Sequence, residues 1–140
     1  MVDVWQHRVI YGEIDGQRIA FNARYLEWID AASYEFFRLG GWSPLSLAEI
    51  DFDYVVVHCD LSFTAPIRLD EILLVKGEVT AIGRSSFELS YRIVVENELR
   101  ATARLTYVNA QNGKATAIPS TVRHFLEDRR AATAESTRER

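Results

Sequence analysis

The 140-residue chain has a single cysteine, Cys59. Neither an intramolecular disulfide nor a multi-thiolate metal site can form from it, and nothing points to an oxidising compartment. Long hydrophobic runs are missing as well. No stretch approaches the roughly 18–20 consecutive apolar residues that span a bilayer. Met1-Val2-Asp3-Val4-Trp5 also lacks the basic region and apolar core of an export signal. The expectation is a cytoplasmic protein with no membrane partner. Charge of one sign is scarce too: 16 Lys and Arg against 20 Asp and Glu leave a formal net charge of −4, with no basic field to gather nucleic acid along a face. Lysine is nearly absent. Lys76 and Lys114 are the only two, so 14 of the 16 basic residues are arginine, and an anion site here would use planar guanidinium groups. No glycine pattern matches a dinucleotide fold or a P-loop. His7 and His124 show no ligand spacing with acidic partners, so no metal is expected.

What is present describes one soluble globular domain: 48% hydrophobic, 11% aromatic and 26% charged residues. A domain of this size buries only about 68–70% of its unfolded surface, so a deep private pocket would compete with its core. A site shared between subunits is therefore anticipated. The periodicity predicts a strand over about residues 4–11. A long helix follows from Asn22 to Leu39, apolar on far more than one face and so buried on most sides. Asn22 is its expected N-cap and Gly40-Gly41 its left-handed stop. Beyond a connector near residues 43–52, apolar residues alternate at Val55, Val57, Cys59, Leu61 and Phe63, the mark of a half-buried strand. The same alternation runs from Ile72 to Ile82, from Phe87 to Val95 and from Leu99 to Tyr107, with hairpin turns at residues 82–85 and 96–98. The expected class is α+β, a long antiparallel sheet wrapped around one central buried helix. Exposed strand edges of such length favour a two-fold dimer that joins two sheets. Residues 1–128 form the expected domain and residues 129–140 a frayed polar tail.

Asp15 lies seven residues before Asn22, between the first strand and the helix. A carboxylate facing a helix N-terminus stands near backbone N–H groups that can polarise an acyl oxygen. Read alone, Asp15-Gly16 is first a solvated surface turn, for which Asp-Gly is a common pair. Four blocks carry more. They are Tyr11-Gly12-Glu13-Ile14-Asp15, Asn22-Ala23-Arg24-Tyr25-Leu26-Glu27-Trp28-Ile29-Asp30-Ala31-Ala32, Leu61-Ser62-Phe63-Thr64-Ala65-Pro66 and Ile82-Gly83-Arg84-Ser85-Ser86-Phe87. In order and spacing they resemble the hotdog-fold acyl-CoA thioesterases of the hydroxybenzoyl-CoA thioesterase family, up to about Phe125.

The resemblance implies a single hotdog fold and a thioesterase acting on an acyl-CoA or acyl-carrier-protein thioester. Coenzyme A would belong to the substrate, with no separate cofactor. Asp15 matches the family's catalytic aspartate. The backbone N–H groups of Asn22 and Ala23 would meet the thioester oxygen, and Glu13 would be a supporting residue. Arg84, with Ser85 and Ser86, is the candidate for the CoA phosphates; Phe63 and His58 are candidates for the acyl pocket. Arg18 stands where the family pattern has glycine, and its charge could recognise a carboxylate or phosphate on the substrate. A homodimer, or a dimer of dimers, is expected. A noncatalytic acyl-CoA-binding hotdog module is the alternative. A hydratase is disfavoured, because the Asp-His pair expected before the helix is absent.

Overall fold

The computed structural model describes residues 1–139. The elements are β1 (Val2–Arg8), a 3-10 turn (Tyr11–Glu13), α1 (Asn22–Arg38), α2 (Pro44–Glu49), β2 (Tyr54–Phe63), β3 (Ile72–Ile82), β4 (Ser86–Val95), β5 (Glu98–Gln111), β6 (Lys114–Ala115) and α3 (Ser120–Glu139). The strands form an antiparallel sheet in the order β1-β3-β4-β5-β2, and β6 pairs with the end of β5. The curled sheet and its long helix are the hotdog arrangement that the sequence implied. Trp28, Ile29, Ala32, Phe36 and Phe37 of α1 share one core with Leu73, Val75, Phe87, Leu89, Tyr91, Leu105 and Tyr107 of the sheet. Among the described residues, no helix is long and apolar enough to cross a membrane.

Several boundaries differ from the sequence reading. β1 ends at Arg8, because the Glu13 carboxylate accepts the Ile10 N–H at 2.8 Å and winds the next residues into the 3-10 turn. Asn22 is the first helical residue. The N-cap is Phe21, held extended by its N–H bond to the Glu13 carbonyl at 2.9 Å, and no side chain caps the helix. Gly41, at φ +88°, supplies the left-handed stop, and its N–H reaches the Arg38 carbonyl at 2.9 Å. α2 and α3 were not anticipated. α3 is nevertheless part of the core, with Val122 and Leu126 fully buried and Phe125 packed against Phe36, Phe37 and Trp42. Residues 129–139, read as a tail outside the domain, continue α3 to Glu139, and Arg140 lies outside the described residues.

β2 corrects the alternation. A bulge between Val56 and His58 inserts one residue, and a one-residue slip turns every later side chain to the opposite face. Tyr54 and Val56 face α1 before it; Cys59, Leu61 and Phe63 face α1 after it, and Val55 faces outward. The strand is also barely buried, with Val55, Val56, Val57 and Phe63 all about half exposed. It stands at the sheet edge, paired with β5 on one side only.

Candidate active site

Glu13 anchors the segment that carries Asp15. Its carboxylate accepts from the Ile10 N–H at 2.8 Å, from His7 Nε2 at 2.7 Å and from Trp28 Nε1 at 2.7 Å. A carboxylate can only accept, so the His7 ring nitrogen facing it must donate. Burial by itself would raise the Glu13 carboxyl, but these hydrogen bonds together outweigh it and hold the group below its ordinary value. His7 is stacked on Trp5 at 5.0 Å, which fixes the ring.

Two residues on, the chain reverses. Ile14 and Ala20 form a bridge, the Asp15 N–H bonds the Ile19 carbonyl at 2.9 Å, and the Arg18 N–H bonds the Asp15 carbonyl at 3.0 Å. Asp15 Oδ1 accepts the Gln17 N–H at 2.8 Å, which orients the carboxylate and leaves Oδ2 without a donor among the described residues. The Asp-Gly pair therefore does make a turn, and the turn forms one wall of a pocket. That pocket, about 400 Å³, is lined by Asp15, Gln17, Ile19, Ala20, Phe21, Asn22, Tyr25, Phe63, Thr64, Ala65 and Pro66. The first turn of α1 opens into it. The N–H groups of Asn22 and Ala23 are at the start of an uncapped helix and have no intrahelical acceptor.

The far wall is fastened from β5. The Arg100 carbonyl accepts the Thr64 and Ala65 N–H groups at 2.8 and 3.1 Å. The largely buried guanidinium of Arg100 donates to the Pro66 carbonyl at 2.7 Å and to both oxygens of Glu71 at 3.0 Å. This contact holds the Glu71 carboxyl below its ordinary value despite partial burial. Ala20 N–H ties the two walls together through the Ile67 carbonyl at 2.7 Å. Tyr25 sets the floor, edge-on to Phe63 at 4.9 Å, and burial pushes its phenol up.

A sequence model of the thioesterase superfamily matches residues 17–102. The chain belongs to that superfamily. The acyl-CoA thioester hydrolase YbgC of Escherichia coli is 28% identical to this thioesterase-superfamily chain over 121 residues, 84% of this chain and 90% of that one. The acyl-CoA thioesterase YbgC of Haemophilus influenzae is 24% identical over 119 residues, 83% and 88% of the two chains. Among solved structures, a probable thioesterase from Bartonella henselae is 25% identical with a TM-score of 0.79, over 82% of this chain and 97% of that one. A 4-hydroxybenzoyl-CoA thioesterase variant complexed with 4-hydroxybenzoyl-CoA shares the fold, at 23% identity and a TM-score of 0.78, over 85% and 94%.

Within this superfamily member's chain, the residues singled out from sequence divide into four groups. Asp15, Asn22 and Phe63 meet around the pocket, and Ala23 follows in the first turn of α1 without lining it. His58 does not: it is exposed on the outer sheet face, 3.3 Å from Asp60, which also holds Arg104. It shares neither the face of Cys59, Leu61 and Phe63 nor their approach to α1, so it cannot line the acyl pocket. Arg84, Ser85 and Ser86 lie at the opposite end of the sheet. The Ser85 carbonyl accepts from Asn109, which pairs with Tyr54, whereas the pocket is at the Phe63 end. β2 is 10 residues long, so about 30 Å separates the two ends at roughly 3.3 Å per residue. The Arg84 turn is clamped to α3, Arg123 donating to the Gly83 and Arg84 carbonyls at 2.6 and 3.0 Å. Arg18 borders Asp15 on the side away from the pocket. Sequence reading missed Arg100 because a register shift near Val94 breaks the strand alternation around it. The only available signal was a lone arginine between two apolar positions.

Proposed function

We propose that this protein hydrolyses an acyl-CoA, or acyl-carrier-protein, thioester to free acid and thiol, with Asp15 as nucleophile or general base. One observation carries the reading: Asp15 and Asn22, the first residue of the uncapped helix, line the same pocket, and Ala23 follows Asn22 in the same first turn. A thioester carbonyl oxygen directed at those N–H groups would gain negative charge where the helix N-terminus favours it, and one such donor is typically worth about 2.7–4 kcal/mol in the transition state. Asp15 then either attacks the carbonyl carbon, expelling the thiolate and leaving an anhydride that water cleaves, or takes a proton from the water that attacks. Coenzyme A enters as part of the substrate, and the chemistry requires no separate cofactor.

The site is completed by a second copy in this reading. β2 presents an unpaired edge with half-exposed apolar residues. Two such edges joined about a two-fold axis run antiparallel, so the Tyr54 end of one β2 lies beside the Phe63 end of the other. That arrangement carries the partner's Arg84-Ser85-Ser86 turn from about 30 Å away to within a few strand widths of Asp15, a suitable reach for the phosphates of CoA.

The test is a thiol-trapping assay with aromatic, short-chain and long-chain acyl-CoAs. Wild type should release thiol, and Asp15→Asn should lose most of the rate while still binding the thioester. Full activity in Asp15→Asn would refute the role of Asp15. Tight binding by wild type with no thiol release would favour the noncatalytic binding module.

A further inference from the structure

On the other side of Asp15 lies a second cavity, about 740 Å³, lined by Tyr11, Ile14, Asp15, Gly16, Arg18, Arg68 and Leu69. Two of its residues are guanidinium groups with no carboxylate within 4 Å among the described residues. Five other arginines are engaged, Arg8 with Asp70, Arg24 with Glu27, Arg38 with Glu35, Arg100 with Glu71 and Arg104 with Asp60, while Arg84, Arg92 and Arg123 form no ion pair among the described residues but do not share a cavity with one another. In a chain where acids outnumber bases 20 to 16, two arginines that form no ion pair and face one cavity make a site for an anion, even with Glu71, which accepts the Arg68 backbone N–H at 2.6 Å, near one of them. Arg18 is also held at φ +66°, a left-handed conformation that costs a non-glycine residue energy and that persists where the surroundings impose it. The exposed ring of Tyr11 and the half-exposed side chain of Leu69 give the same cavity apolar walls.

The position of the cavity selects the kind of anion. Arg18 N–H bonds the Asp15 carbonyl at 3.0 Å, which closes a four-residue turn whose end Cα atoms lie within about 7 Å. An anion held by Arg18 is therefore about one side chain's reach from the carboxylate that meets the thioester. An extended CoA thioester has its whole pantetheine arm between the sulfur and the nearest phosphate, too long for this distance. A carboxylate a few carbons along the acyl group fits it.

We propose that Arg18 and Arg68, between Tyr11 and Leu69, form a subsite for a carboxylate carried by the acyl group, so that dicarboxylic acyl thioesters are preferred over neutral ones of the same length. The proposal rests on the thioesterase reading above and names its substrate class. Asp15 repels the acyl carboxylate from its own side of the cavity and so directs it toward the two arginines.

The experiment compares glutaryl-CoA with valeryl-CoA, and the same two acyl groups as N-acetylcysteamine thioesters, which carry no phosphate. Wild type should favour glutaryl over valeryl in kcat/KM in both series. Arg18→Gly and Arg68→Gln should each reduce that ratio several-fold, and the double variant at least tenfold. Arg18→Gly should keep or raise the Tm, because glycine adopts φ +66° without strain; a stabler protein with lost carboxylate preference separates recognition from a structural role. An unchanged ratio in the variants overturns the proposal, as does a wild-type preference for valeryl. Weakening of both CoA substrates with neither N-acetylcysteamine thioester affected also overturns it, assigning the arginines to phosphate. If wild type hydrolyses none of the four, the thioesterase reading fails by itself. Calorimetric binding then decides the subsite: tighter binding of glutaryl-CoA than valeryl-CoA, lost in the double variant, supports it, and equal binding overturns it.

Discussion

Replacing Glu13 by glutamine removes a charge and turns one of two acceptor oxygens into a donor, at a point where three donors converge. His7 Nε2, the Ile10 N–H and Trp28 Nε1 all point at this carboxylate within 2.8 Å. A glutamine amide oxygen cannot serve all three, and its NH₂ group would oppose at least one of them. Leaving one partly buried donor unmatched costs about 1–3 kcal/mol, and the remaining bonds lose their charge assistance. The expected destabilisation of Glu13→Gln is about 2–3 kcal/mol. Unfolding entropy of about 2.1 cal/mol/K per residue comes to about 0.3 kcal/mol/K here, so Tm should fall by roughly 7–10 °C at pH 7. The pH dependence gives a sharper check. The folded-state pKa of Glu13 lies below its ordinary 4.5, so its contribution is fully present above that value and is lost as pH falls through the folded value. The gap between wild type and variant should therefore close under acid, where both carry a neutral side chain. Calorimetric or circular-dichroism melts at pH 7, 5, 4 and 3 measure it. A Tm change under 2 °C at pH 7, or a gap that persists undiminished at pH 3, would refute the reasoning.

Arg100→Met should destabilise by about 3 kcal/mol, because it strands the Glu71 carboxylate and the Pro66 carbonyl. Urea denaturation checks this, and the loosened pocket wall should raise KM in the same variant. Val57→Lys puts a charge on the half-exposed β2 edge and should convert the proposed dimer to monomer. Sedimentation or light scattering reads the mass and distinguishes dimer from dimer of dimers, and thioesterase activity should fall with the loss of the shared site. A variant that remains dimeric would remove β2 from the interface.

The long helix and three of the strands were legible because each repeats one pattern for several turns or alternations. α1 spans Asn22–Arg38 against an expectation of Asn22 to Leu39, and β3 runs over the expected residues. Legibility failed where a single residue changes the count. The bulge at Val57 turned Tyr54 and Val56 inward and Val55 outward, whereas Cys59, Leu61 and Phe63 kept the face that the alternation gave them. α3 escaped because, among its described side chains, the apolar residues that reach the core are Val122, Phe125 and Leu126 in an otherwise polar segment. Those three residues are apolar enough to dock on a core and too few to announce a helix.

For the site, sequence alone determined the chemistry available: a carboxylate at Asp15, a helix beginning near Asn22, and arginine in place of lysine for any anion. These are matters of residue type and short spacing, which the chain carries locally. Only the tertiary structure decided which of them meet. The Glu13 hub fixes Asp15 beside the helix start through His7 and Trp28, and Arg100 brings in the Pro66 wall from β5, 34 residues along the chain. The same sheet keeps Arg84 a strand's length away from Asp15 within the chain. Contacts between residues distant in sequence depend on strand order and on where a bulge falls, and those are settled by packing, since no local pattern encodes them.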